Sequence, residues 1–342
     1  FDPNDPSSRF VYVSLWAGRA VLEVDLADPA APKVARKFET DKNPQGMAFL
    51  DGRWLAIAND FGESISLVDR TSGAVSRVPV EMKAGFNGLD PSGLAWDKNA
   101  KRLYVALSGV NGIGAYDVDL SAAPPKLTPV GRLPTSWWPG GVGVLDDGTL
   151  VVASMRGHGG GPTRQPFGIG DSDIGDRMRG GVQIVPAPSA ADLRAGEDEL
   201  AKNLAVGALP GYPQIECPAG VSDFPVPATN TEGPSKNIEH IFFVVRENKD
   251  FDGVFGDFPG AQGDPSLTLK PSTAEMDTLW QNLRTLARTF TMSDNYYTDA
   301  IYSTQGHVWT SHGRSSDYDE RTWAVAGGGR DARPVPGGGI ID

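Results

Sequence analysis

Glu247 and Asn248 follow directly on an unbroken apolar run, "IEHIFFVV" at 238–245. A carboxylate beside a carboxamide offers hard oxygen donors, which suit a divalent cation. Further along, Ser303 and Thr304 lead into Gln305, Gly306 and His307. A hydroxyl at a helix start lies at the positive end of the helix dipole, where an anion is favoured. A metal within bonding distance would lower the hydroxyl pKa and screen the charge of a phosphate. Metal-assisted phosphoryl transfer to a serine is the chemistry such a set would support. Plainer roles stand beside it. Ser303 is also a natural N-cap, and His307 can pack or cap near the first turn. His240 reads as a core or edge histidine, and His312 and Asp317 as surface residues. Asp250 and Asp252 suit a turn, and Gly256, Gly260 and Gly263 read as turn chemistry.

These residues need elements to position them. A continuous apolar run predicts a central strand of an α/β sheet, covered on both faces. Ligands of such sheets bind beyond the carboxyl ends of the strands, where Glu247 and Asn248 fall. Residues 272–290 read as a helix capped by Ser272 or Thr273. Its Met276, Leu279, Trp280, Leu283 and Leu286 repeat at helical spacing and predict a core-facing stripe. Residues 289–313 then read as a strand, a polar turn and a helix beginning between Thr304 and His307. Strand, helix and strand imply a right-handed crossover.

Everything before residue 216 has a different texture. Short apolar strands recur as "VYVS" (11–14), "LAIA" (55–58), "LYVA" (103–106) and "VVAS" (151–154), at offsets of 44, 48 and 48. Gly-centred turns running into strands recur around Gly46, Gly93 and Gly141, at 47 and 48. Strands ending in Asp25, Asp69 and Asp117 recur at 44 and 48. Three features on one period of this length predict β-propeller blades, small antiparallel sheets stacked about an axis. A fourth unit ends at "GGVQIV" (180–185), after a Gly-rich insertion at 156–180. The insertion holds His158, Arg164, Asp171, Asp173 and Asp176, and reads as a surface loop with an optional binding role. Residues 189–205 read as an N-capped helix. Four units are few for a propeller. Either further blades precede residue 1, or the ring is a small four-bladed one. Residues 216–236, rich in Pro, Ser, Thr and Asn, read as a linker. The expected domains are therefore 1–215, a propeller, and 237–342, an α/β unit.

The net charge of −12 argues against nucleic acid as the main partner and against an anionic membrane surface. No apolar run approaches the length of a membrane span. The single cysteine, Cys217, excludes an intrachain disulfide and lacks the neighbouring base that a catalytic thiol needs. The opening "FDPNDPSSRF" does not read as a signal peptide; either none exists or it lies upstream.

Three ordered blocks, "NIEHIFFVVRENKDFDGVFGD", "GDPSL" and "SDNYYTDAIYSTQGHVWTSHGRSSDYDERTW", resemble the phosphoesterase branch of the alkaline-phosphatase superfamily. The whole of roughly 10–325 is similar to bacterial proteins in which a YVTN-type β-propeller is fused to such a domain; "GRLPTSWWPGGVGVLDDGTLVVAS" (131–154) resembles their late blades. The resemblance implies an α/β sandwich from residue 237 and hydrolysis of phosphate mono- or diesters through a phosphoserine. The propeller would be a scaffold or substrate gate. It implies divalent metal (Zn, Ca, Mn or Mg) held by Glu247, Asn248 and Ser303. Ser303 would be the nucleophile, with His307 four residues on. The string Ser-Thr-Gln-Gly-His departs from the usual pattern; register favours Ser303, with Thr304 as the alternative. It also implies a periplasmic or secreted protein whose substrate is a small phosphate ester. Superfamily members draw further Asp and His ligands from far downstream, whereas this sequence ends at "GGGIID" with four histidines in all. The expectation is a fragment holding half a site, inactive alone, with the remaining part of the same protein as a candidate partner chain. The alternative is a propeller-based binding protein with an inactive phosphatase-like part. A propeller-axis hydrolase such as a lactonase ranks last, since His158 is the only propeller histidine.

Overall fold

The computed structural model describes residue 2 and residues 9–82, 88–157, 180–204, 237–247, 249–270, 272–296, 300, 303–313, 315 and 320. The linker at 216–236, Cys217, Asn248, Asp317 and the insertion residues 158–179 lie outside these. The chain forms two compact units, residues 1–209 together with 300–342, and residues 210–299. The first unit thus gathers in residues 300–342, beyond the 1–215 expected for a propeller.

Among the described residues, the first unit holds four antiparallel sheets. β1 (Phe10–Leu15), β2 (Ala20–Asp25) and β3 (Lys33–Glu39) pair in order. β4 (Pro44–Phe49), β5 (Trp54–Asn59), β6 (Ser64–Asp69) and β7 (Val75–Pro79) form a four-stranded meander. So do β8 (Pro91–Asp97), β9 (Arg102–Leu107), β10 (Gly112–Asp119) and β11 (Lys126–Pro134). β12 (Trp137–Val144), β13 (Leu150–Gly157) and β14 (Gly181–Val185) make the fourth sheet. Successive three- and four-stranded antiparallel sheets fit a partial β-propeller. The repeated apolar motifs fall in β1, β5, β9 and β13; the last three are each the second strand of their sheet, and β1 is the first of its three.

The repeat is written in backbone conformation as well as in apolar residues. Arg19, Glu63 and Asn111 close the hairpins β1–β2, β5–β6 and β9–β10, all with φ near +50°. Asn43, Asp90 and Trp138, at the starts of the inner strands, also lie in the left-handed region. Asn and Asp tolerate that region through local hydrogen bonds. Each of the first three sheets also carries an ion pair. Arg9 reaches Asp25 at 2.9 Å, Arg53 reaches Asp69 at 2.6 Å, and Arg102 reaches Asp117 at 2.8 Å. The recurring aspartates therefore pair with an arginine at the head of the preceding strand. Arg53 and the Thr71 and Ser72 groups hold the Asp69 carboxyl well below the ordinary carboxylate range.

Blades stack through both faces of their sheets. Leu55, Ile57 and Val68 pack with Tyr12, Val21 and Phe38 of the first sheet. Ala56, Ile65 and Leu67 pack with Leu103, Val105 and Leu107 of the third. Tyr104, Ala106 and Ala115 pack with Leu150 and Val152 of the fourth. Burial on both faces is why β5 and β9 read as nearly continuous apolar runs. The helix α1 (Ala190–Asn203) is capped by Ser189 in a reciprocal pair with Asp192, and buries Leu193 and Leu200. It lies so close to β11 that a Cβ on Gly131 would meet the Leu193 carbonyl oxygen at 2.4 Å.

The three repeated glycines sit inside β4, β8 and β12, at or next to register shifts, rather than in turns leading into them. A Cβ on Gly46 would meet the Ser92 carbonyl oxygen at 2.5 Å and Gly93 Cα at 2.9 Å. One on Gly93 would meet Gly141 Cα at 3.1 Å. Ser108 Oγ beside them donates to the Pro139 carbonyl at 2.8 Å and shares a 2.6 Å bond with Ser92 Oγ. Inner strands of neighbouring blades thus approach backbone to backbone.

The second unit contains α2 (Phe251–Phe255), α3 (Ala274–Thr289) and a 3-10 turn at Pro265–Leu267. Asp250 caps α2, accepting from Gly253 N at 2.6 Å, and Asp252 accepts from Asp264 N at 2.9 Å. Both aspartates serve the turn, as their positions predict. Gly256 and Gly263 also touch backbone to backbone. Arg284 ties α3 to α2 through Asp257 and the Val254 carbonyl. The expected α/β sheet is not shown: among the described residues no strand follows Val185. The run 238–245 carries no strand pairing, and Phe242 is 91% exposed. A central strand needs a partner at each edge and cover on each face, and the described residues supply neither. His240 is likewise exposed instead of in a core. Residues 290–293 form no strand either. On α3, Trp280 is buried and Leu283 half-buried, but Leu286 is exposed, so the predicted stripe is only partly covered.

Gly46→Ala should lower stability by about 2 kcal/mol, because backbone opposes the new methyl. Gly141→Ala, with nothing within 4 Å of its Cβ, should not lower it by more than about 0.5 kcal/mol. Denaturant unfolding of both variants checks the contrast, which repeat position alone does not predict.

Candidate functional site

Ser303 is the first residue of α4 (Ser303–His312), which belongs to the first unit. Helical spacing sets what this helix exposes. Ser303 and His307, four residues apart, are both exposed. Gln305 and Val308 are buried, and Trp309 is half-buried. Thr304 lies in the same first turn. His312 shares a 2.8 Å bond between its Nδ1 and Ser311 Oγ, and Ser311 Oγ lies 2.7 Å from the His307 carbonyl oxygen. His312 is therefore a half-buried partner rather than a surface residue.

The inner face of α4 docks on three sheets. Val308 packs with Phe61, in the β5–β6 turn, and with Trp16, in the β1–β2 turn. On the polar side, Gln305 Nε2 donates to Glu320 Oε2 at 2.7 Å and Trp309 Nε1 to Glu320 Oε1 at 3.3 Å. Arg156, near the end of β13, completes an ion pair with the same carboxylate. The Glu320 side chain is 0% exposed and that of Arg156 8%. Arg156 also stands 5.8 Å over the Trp138 ring. Burial pushes the Glu320 carboxyl up, against the pull of Arg156 and Gln305. Two hydrogen-bond donors and one guanidinium thus converge on one enclosed carboxylate.

The other expected site residues are placed differently. Glu247 is an exposed residue of the second unit, and Asn248 lies outside the described residues. Among the described residues, no three His, Cys, Asp or Glu side chains gather as a metal site. Glu247 supplies one exposed carboxylate, which by itself does not complete a site for a divalent ion. The structure brings Ser303 and His307 onto one helix face, whereas Glu247 belongs to the other unit. No helix among the described residues is long and apolar enough to cross a membrane.

Sequence reasoning missed Arg156, Gln305, Trp309 and Glu320. The spacing of Gln305, Val308, Trp309 and His312 would have marked an inward face. Nothing in the sequence pointed to Glu320.

Neither a family model nor a curated protein matches the sequence. Solved structures with partial similarity include the hydrazine synthase of Kuenenia stuttgartiensis, at 25% identity over 44% of this chain and 40% of that one, TM-score 0.36. A Lactobacillus plantarum protein aligns at 17% over 45% and 46%, TM-score 0.38. The virginiamycin B lyase of Staphylococcus aureus aligns at 16% over 42% and 44%, TM-score 0.32. The chain spans less than half the length of each. At such scores the fold is read from the chain's own sheets.

Trp309→Phe removes one donor from the Glu320 carboxylate and should cost about 1–3 kcal/mol. Thr310→Ala, on the exposed side of α4, should stay within about 0.5 kcal/mol. Thermal unfolding of the two variants separates the inner face of the helix from the outer.

Proposed function

We propose that this chain belongs to a hydrolase of phosphate esters in which Ser303 is the nucleophile and the propeller is its scaffold. The observation that supports this most is the exposed Ser303 at the first turn of a helix anchored on its opposite face. A helix N-terminus favours a phosphate oxyanion. A fixed hydroxyl is what a covalent phosphoenzyme requires. His307, one turn on and also exposed, is the proposed proton carrier for the departing alcohol. Thr304 is the alternative nucleophile. The ordered motifs at 237–257, 263–267 and 293–323 support the same reading.

We also propose Glu247 and Asn248 as ligands of a divalent ion in the whole protein, and a periplasmic or secreted location. A second reading is a binding scaffold in which α4 has only a structural role. It is favoured by the Arg156–Glu320 pair, since a helix held by burial needs no chemistry to explain its place.

Ser303→Ala in the full-length protein should cut hydrolysis of an aryl phosphate by about a hundredfold or more. Thr304→Ala should cost much less. Full activity in both variants would overturn the enzymatic reading. Metal analysis of the full-length protein should find at least one bound divalent ion, and its absence would favour the scaffold.

A further inference from the structure

We propose that Glu320 and Arg156 are positioning residues, which clamp α4 onto the fourth sheet and so fix where Ser303 is presented. The proposal rests on the reading of Ser303 as nucleophile. It uses groups that reading leaves unassigned.

The clamp has two anchors of different chemistry. The apolar one is Val308 between Phe61 and Trp16. The polar one is Glu320, which receives Gln305, Trp309 and Arg156 together. The polar anchor grips the helix two residues from Ser303. It therefore fixes the first turn, where a pivot about Val308 alone would let that turn swing. Both charged side chains are enclosed. Removing either one strands the other away from water, which is costly. Arg156 is held in turn by the face of Trp138, on the neighbouring strand of its own sheet. The position of α4 is thereby set by β12 and β13 of the propeller. Reaction rates respond steeply to such placement, since displacement of a reacting group by about 1 Å costs up to a hundredfold.

The test uses the full-length protein, 4-nitrophenyl phosphate and amide hydrogen exchange. In E320A, exchange of residues 305–312 should accelerate by about tenfold or more, while β5 and β9 stay protected. Its kcat should fall by about tenfold or more with KM unchanged, the pattern of lost positioning rather than lost binding. The conservative E320Q, which keeps an acceptor for Gln305 and Trp309, should recover part of both effects. Unchanged protection of 305–312 in E320A would overturn the proposal, and so would a faster exchange with unaltered kcat. Should E320A fail to fold, W309F is read by the same criteria. If the wild-type protein does not hydrolyse the probe, the Ser303 reading fails. The exchange data then decide the clamp alone.

Discussion

The close approach of β4, β8 and β12 is the constraint on which the first unit depends. Backbone meets backbone at Gly46 and Gly93, where a side chain would collide. Only with the inner strands this close can the sheets stack face to face and cover both sides of β5 and β9. Isolated, each sheet would expose one apolar face or both. Stability of a stacked repeat is then shared between blades and their interfaces. The Ser92, Ser108 and Pro139 bonds satisfy polar groups at the junction, where water is excluded. A buried polar group without such a partner would weaken the interface.

The propeller does more than stack, because α4 is built onto it. Residues 303–312 are remote in sequence from the blades, yet their inner face is covered by Trp16, Phe61 and the Arg156–Glu320 pair. Buried ion pairs contribute little net stability compared with apolar packing, and are best attested as devices of specificity. Here such a pair would select one docked position of a short, weakly amphipathic helix. That link ties a repeat scaffold to the residues with the strongest claim to chemistry.

The legible part of the chain was whatever repeats or carries strong local preference. Periodic motifs located β1, β5, β9 and β13, and burial on both faces makes the runs in β5 and β9 nearly continuous. The Ser189 cap and the helices α1, α3 and α4 followed from capping and spacing. The glycine motifs were visible, but not their setting: strands that touch at Gly46 and Gly93 belong to different blades, so the collision is a tertiary fact. The run 238–245 is a different case. Its composition favours burial, yet in the described residues it is exposed and carries no strand pairing. Of the site, Ser303 and His307 fell on one helix face as spacing predicts. Glu320 stayed hidden because a lone glutamate in a polar stretch looks like any solvated charge. Arg156 stayed hidden because its role depends on a partner 164 positions away.

The most direct test is to look for the covalent intermediate. Full-length protein mixed with an aryl phosphate, quenched in acid within the first turnover and digested, would be mapped by mass spectrometry. The account predicts a phosphoryl group on Ser303. A phosphoryl group on another residue, or none in a protein that releases the aryl alcohol, would contradict it.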